Sequence, residues 1–148
     1  MAAPAGTPSQ PTDRDLASMH EARTLARAAR RAQEQLAELS QSQIDAIVEA
    51  MAEAVTPHAE ALARLAVEET GYGVVADKVQ KNLFASVRVR EFIRPMKTVG
   101  VVARHEDTRV VEIAEPFGVV AAVVPSTNPT STAIYKALIA VKARCAIV

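Results

Sequence analysis

The last stretch of the chain, GVVAAVVPSTNPTSTAIYKALIAVKARCAIV over residues 118–148, restricts the fold most. Its apolar run from Val119 to Val124 stops at Pro125. Apart from Pro129, the positions from Ser126 to Thr132 are all hydroxyl or amide residues. Helical apolar spacing then resumes over about residues 130–141, and a new apolar run opens at Ala146. A short run apolar on both faces reads as a strand buried between helical layers, as in a parallel sheet. Strand, helix, strand is therefore one crossover unit of an α/β sheet. A parallel sheet needs further strands and two covered faces, so this unit is unfinished at Val148. The expectation is the opening portion of a longer polypeptide, with sheet edge and core exposed in the piece itself.

The preceding residues read as helices and a hairpin. Residues 1–12, rich in Ala, Pro, Ser and Thr, are expected to be disordered. Residues 13–97 form a helical segment. Its first helix, over about 13–39, has an inward stripe of Leu25, Ala29, Ala32, Leu36 and Leu39. Ser42 is placed to cap a second helix with Ile44, Ile47, Val48, Met51 and Val55 inward. Thr56 and Pro57 are placed to start a third, burying Leu62, Leu65 and Ala66 and ending near Gly71. A fourth helix covers about 76–93, with Pro95 beyond it. Residues 98–116 change period: TVGVVA and RVVEIAEP read as strands joined by the polar RHEDT, a hairpin.

Charge and composition narrow the classes. Seventeen basic and seventeen acidic residues leave a formal charge of zero, against the basic excess that nucleic-acid binding requires. Arg27, Arg30 and Arg31 then read as a solvated helix face. No apolar run approaches the ~20 residues of a membrane helix, and the start has no signal-peptide pattern. The lone cysteine, Cys145, excludes an intrachain disulfide, and a soluble cytoplasmic protein is expected.

Acid–base and metal chemistry have little support. His20, His58 and His105 stand apart as surface histidines, Glu68 and Glu69 as a solvated face, and Cys145 as a buried, inert thiol. No metal site is expected, and no GxGxxG occurs. What remains is the loop PSTNPTST. Ligands of open α/β sheets bind beyond the carboxyl ends of strands, and helix amides facing such a loop favour negative charge. Pro125 and Pro129 stiffen it, restricting Val124 and Asn128 to extended shapes. The same residue types also make ordinary turns and caps, with Thr130 or Ser131 suited to cap the following helix. From spacing alone, capping outweighs ligand binding.

The runs VEETGYGVVADKVQKNLFAS, MKTVGVV and IAEPFGVVAAVVPSTNPTSTAIYKALIAVKAR closely resemble the CoA-acylating aldehyde dehydrogenases. That family includes the acetaldehyde dehydrogenases and the N-terminal half of the bifunctional aldehyde–alcohol dehydrogenases. The match runs from about Asp15 to Val148. It implies an α/β, aldehyde dehydrogenase-like fold in which helices and a hairpin lead into the first strand-helix-strand of a Rossmann-like cofactor domain. Residues 117–148 would be the truncated start of that NAD-binding domain.

The resemblance also implies a reaction. An aldehyde, acetaldehyde being the simplest choice, is oxidised with NAD and passed to coenzyme A as an acyl thioester, reversibly. The loop contacting NAD would be Val123, Val124, Pro125, Ser126, Thr127 and Asn128. The wider superfamily has Pro-Trp-Asn-Phe-Pro here. Counted from either proline, Thr127 takes the place of that Asn, and Asn128 follows it. The nucleophilic cysteine would lie beyond Val148, leaving this chain inactive alone. The hairpin resembles the superfamily's oligomerisation strands, implying a homo-oligomer. The alternative is a non-enzymatic chain that docks onto a full-length homologue.

Overall fold

The computed structural model describes residues 13–148. The disorder expected of residues 1–12 lies outside the described residues. Helix α1 spans Arg14–Ala37, α2 Gln41–Val55, and α3 Ala59–Thr70, with a single 3-10 turn at Thr56–His58 between the last two. Helix α4, Val75–Leu83, continues through a π-helical turn, Phe84–Arg88, into α5, Val89–Ile93. Strands β1, Gly100–His105, and β2, Val110–Ala114, form the hairpin. Strand β3, Val119–Val120, helix α6, Pro129–Lys142, and strand β4, Ala146–Ile147, complete the chain. The fold is α/β, with β1 and β2 antiparallel and β3 and β4 parallel.

Helix α6 is the hub: α2, α3, α4, the π turn, α5 and β4 all pack on it. The core is Ile44, Val48 and Ala52 of α2, Ile93 of α5 and Leu138 of α6. Leu36, Leu39, Met51, Val89, Val99, Ile134 and Val141 close around it. The stripe expected on α2 is therefore largely real, although Ile47 is exposed.

Local details differ from expectation for identifiable reasons. The α2 cap is Ser40, not Ser42: Ser40 Oγ accepts from Gln43 N–H, and the Gln43 carboxamide oxygen accepts from Ser40 N–H at 2.9 Å. This reciprocal capping box satisfies two orphan donors and so outcompetes a lone hydroxyl two residues later. Thr56 does not cap either. Its backbone is already helical, and its hydroxyl donates to Ala52 O at 2.6 Å, so α2 bends into α3 without a break. On α1, Leu25 and Ala32 are exposed, and the buried side chain is Gln33, which donates to Arg144 O. Only the second half of α1 reaches the body, where it lies against β3 and β4. On α3, Leu65 is exposed and alanines 59, 63 and 66 are buried, allowing a close approach of α4. Gly71 ends α3 at φ 69°, as the left-handed cap expected of it.

The strand expected over 118–124 is shorter in its regular part. Pairing continues beyond Val120 through Ala122 N–H to Val148 O, at 2.7 Å, but Val123 is 80% exposed and Val124 is exposed. Burial on both faces does not hold. Helix α1 lies against β3 and β4, whereas Phe117, 99% exposed, edges an apolar cleft of about 420 Å³ with Val120, Tyr135, Ile139 and Ile147.

The hairpin pairs His105 with Val110 and Gly100 with Ala114, with a bulge between Val101 and Ala103. Its root is fastened to the body by polar groups. Gln41 Oε1 accepts from the Thr98 and Val99 amides, and Thr98 Oγ1 donates to Lys142 O at 2.5 Å. Arg144, at φ 57°, sends its guanidinium to Ala37 O and Ala114 O, at 2.7 and 2.9 Å.

Candidate ligand loop at the end of strand β3

Helix α6 begins at Pro129, and Asn128 occupies the capping position. Neither Thr130 nor Ser131 caps it. Thr130 lies inside the helix, and its hydroxyl donates to Asn82 Oδ1 at 2.8 Å. Nor does Asn128 cap with its side chain. A turn closed by Asn128 N–H to Pro125 O, at 3.3 Å, shapes the loop.

Three ammonium groups hold the loop from outside. Lys78 Nζ donates to Thr127 O at 2.7 Å, Lys81 Nζ to Asn128 Oδ1 at 2.8 Å, and Lys136 Nζ to Val123 O at 2.6 Å. Each meets a neutral acceptor. Lys78 is only 4% exposed, so its hydrogen bond to the loop offsets a real desolvation cost. Gly73, at φ 78°, makes room for it: a Cβ there would stand 3.3 Å from Lys78 Cε. Asn82, also buried, ties the start of α6 to α3 by donating to Ala59 O at 3.0 Å while accepting from Thr130.

Lys78, Lys81 and Asn82 are spaced i, i+3 and i+4 on α4, so all three reach one side. The π turn follows at once, and Ser86 Oγ donates to Asn82 O at 2.9 Å within it. Such single turns recur at functional places in helices. Between the π turn and α6 lies an apolar cleft of about 390 Å³ lined by Lys81, Phe84, Ala85, Val89, Ser131 and Tyr135.

The six loop residues named from the sequence are thus contiguous at the strand end. Val123, Val124, Pro125, Ser126 and Thr127 are exposed, and Asn128 is half-buried. None of them lines the adjacent cleft; Lys81 belongs to both cleft and loop. Sequence reasoning missed Lys78, Lys81, Asn82 and Lys136. The sequence carried no signal for them: positions 78, 82, 85 and 86 hold Lys, Asn, Ala and Ser, the composition of a solvated face, and only the fold buries them. A buried helix face with that composition has polar work to do.

Other candidates fall where the sequence put them. His20, His58, Glu68 and Glu69 are exposed, and Cys145 is 2% exposed. His105 is not isolated: Nε2 lies 2.7 Å from Glu112 Oε1 across the hairpin. Among the described residues no cluster of three metal-ligating side chains occurs, and no helix is long and apolar enough to cross a membrane.

The fold is α/β, and the loop lies beyond the carboxyl end of a parallel strand, the place where open α/β sheets generally bind ligands. Residues 3–148 match the aldehyde dehydrogenase family, and the chain belongs to it. Within that family its relatives include aldehyde-alcohol dehydrogenases and enzymes named as acetylating. It is 44% identical over 119 residues to the bifunctional aldehyde-alcohol dehydrogenase AdhE of Escherichia coli K12, covering 80% of this chain and 13% of that one. It is 41% identical to the succinate-semialdehyde dehydrogenase (acetylating) of Clostridium kluyveri, covering 79% and 26%. An acetylating aldehyde dehydrogenase structure from Geobacillus thermoglucosidasius superimposes with a TM-score of 0.88 at 55% identity, covering 92% of this chain and 30% of that one. The chain thus spans less than a third of each of these relatives.

Proposed function

We propose that this chain supplies the nicotinamide-facing loop of an NAD-dependent acylating aldehyde dehydrogenase, which converts an aldehyde and coenzyme A to acyl-CoA. The observation that carries the reading is the triple ammonium hold on residues 123–128 at the end of β3. A loop so constrained presents exposed valine side chains and small polar groups in one preset arrangement, which suits close approach of a flat, polar-edged ring. Lysines at its rim and the amides at the start of α6 suit the negative charge of a dinucleotide. NAD, when bound, supplies the hydride acceptor. The chain's own residues bind and orient.

The acyl-transfer step needs an accessible thiolate. Cys145 is 2% exposed, and its Sγ points to Ala143 O at 3.6 Å. It is not that nucleophile, so the chain by itself performs no turnover. NAD titrated into the labelled 148-residue chain should shift the backbone amides of residues 123–128 more than the hairpin amides. Acetaldehyde, CoA and NAD should produce no NADH. Shifts confined to other surfaces would remove the loop assignment, and NADH production would remove the claim of inactivity.

A homo-oligomer accompanies this reading, because the hairpin leaves Val110, Val111 and Ile113 exposed. The same exposed hairpin residues favour a second reading: a non-enzymatic chain docking onto a full-length homologue. Co-purification with such an enzyme would support that reading, and two separately eluting species with no complex between them would exclude it.

A further inference from the structure

Asn128 occupies the capping position of α6, where an asparagine side chain ordinarily accepts from the first helical amides. Here it forgoes that bond, and its Oδ1 accepts from Lys81 Nζ at 2.8 Å instead. An ammonium group only donates, so the partner atom is the oxygen and the flip of the carboxamide is determined by chemistry. The backbone around it is already held: Asn128 N–H donates to Pro125 O, Asn128 O accepts from Thr132 N–H, and Thr127 O is pinned by buried Lys78. The side-chain torsions are the freedom left at this residue, and the Lys81 contact restricts it. Lys81 also lines the cleft beside Phe84, Ser131 and Tyr135, which places the Lys81–Asn128 contact at the edge of that cleft.

We propose that Lys81 is a positioning residue that turns the Asn128 carboxamide so that Nδ2, a pure donor, faces the ligand side of the loop. The loop then offers an N–H to an oxygen acceptor of the bound ligand, and an unheld carboxamide would offer either end. This rests on the reading of the loop as cofactor-facing.

The 15N-labelled chain and its Lys81→Met, Lys81→Arg and Asn128→Ala variants test the proposal. The Asn128 carboxamide signals, assigned by their loss in Asn128→Ala, should be dispersed in the parent and in Lys81→Arg. They should move to random-coil positions in Lys81→Met. Unmoved signals in Lys81→Met overturn the proposal. NAD affinity supplies the second readout. Lys81→Met should weaken binding about 5-fold, the worth of one hydrogen bond, and Lys81→Arg should restore it. In the Asn128→Ala background Lys81→Met should cost nothing further. An equal cost in both backgrounds would mean that Lys81 acts through its own charge, and the positioning role falls. A parent chain that binds no NAD defeats the cofactor reading and the donor role with it; the carboxamide signals still decide whether Lys81 orients Asn128.

Discussion

Lys142 and Asp45, 97 positions apart, meet at 2.6 Å, with the lysine side chain 4% exposed and the aspartate 39%. The same ammonium donates to Arg94 O at 3.3 Å, and the Lys142 carbonyl accepts from Thr98. One residue of α6 thereby joins α2, the end of α5 and the root of the hairpin. Asp45→Asn leaves a buried ammonium short of its counter-charge. Lys142→Met removes the buried charge and keeps much of the volume. Urea unfolding should show Asp45→Asn losing about 1–3 kcal/mol, a range reduced for the exposure of the aspartate, and Lys142→Met losing less. The reverse order would show that the pair contributes through lysine packing alone.

Gly71 and Gly73 both have positive φ, 69° and 78°, but differ in what surrounds them. Gly71→Ala meets nothing within 4 Å and should cost about 1 kcal/mol for the left-handed backbone. Gly73→Ala meets Lys78 Cε at 3.3 Å, and that side chain is anchored to Thr127 O. It should cost more than Gly71→Ala in thermal melts and should also shift the loop amides. Gly71→Ala should leave those amides in place.

Asn82 joins α3 to α6 through Ala59 O and the Thr130 hydroxyl. Asn82→Leu strands both partners and should lower stability by about 2–4 kcal/mol. Thr130→Val should cost less in that background than in the parent, because its partner is already gone. Additive losses in a four-member unfolding series would contradict the shared contact.

Cys145 should resist aromatic disulfide reagents in the native protein and react on unfolding, because it is buried in the strand-facing end of the α6 connection. Stoichiometric labelling within the mixing time under native conditions would contradict its burial.

Ile113, 59% exposed, lies on β2, which has a free edge in the two-stranded hairpin. Ile113→Lys should leave monomer stability within about 0.5 kcal/mol while reducing self-association in sedimentation experiments. Unchanged sedimentation of parent and variant would argue against the hairpin as the contact.

Periodic apolar patterns made much of the architecture legible. Ile44 and Val48 at helical spacing, Gly71 at a helix end and the strand-helix-strand order of residues 119–147 all follow from local rules. The errors come from tertiary burial. Leu25 has the right spacing but is half-exposed on α1, and Val123 is apolar yet 80% exposed beyond the paired strand. The loop was legible as a place because Pro125 ends an apolar run. Its anchors were not, because Lys78 and Lys81 lie 49 and 47 positions from their partners and have the composition of a solvated face. Only their folded context shows that one of these lysines is buried.

The burial of Lys78 has a mechanical corollary. Lifting the loop away from α4 would take from the buried Lys78 ammonium the acceptor it has in Thr127 O, so the loop and helix should travel as one stiff body. Asn82 of α4 is bonded in turn to Ala59 O of α3, so that body extends to α3 as well. Any rearrangement at residues 123–128 is therefore expected to register some fifty residues upstream, and α4 is where a spin label or a hydrogen-exchange probe would detect it.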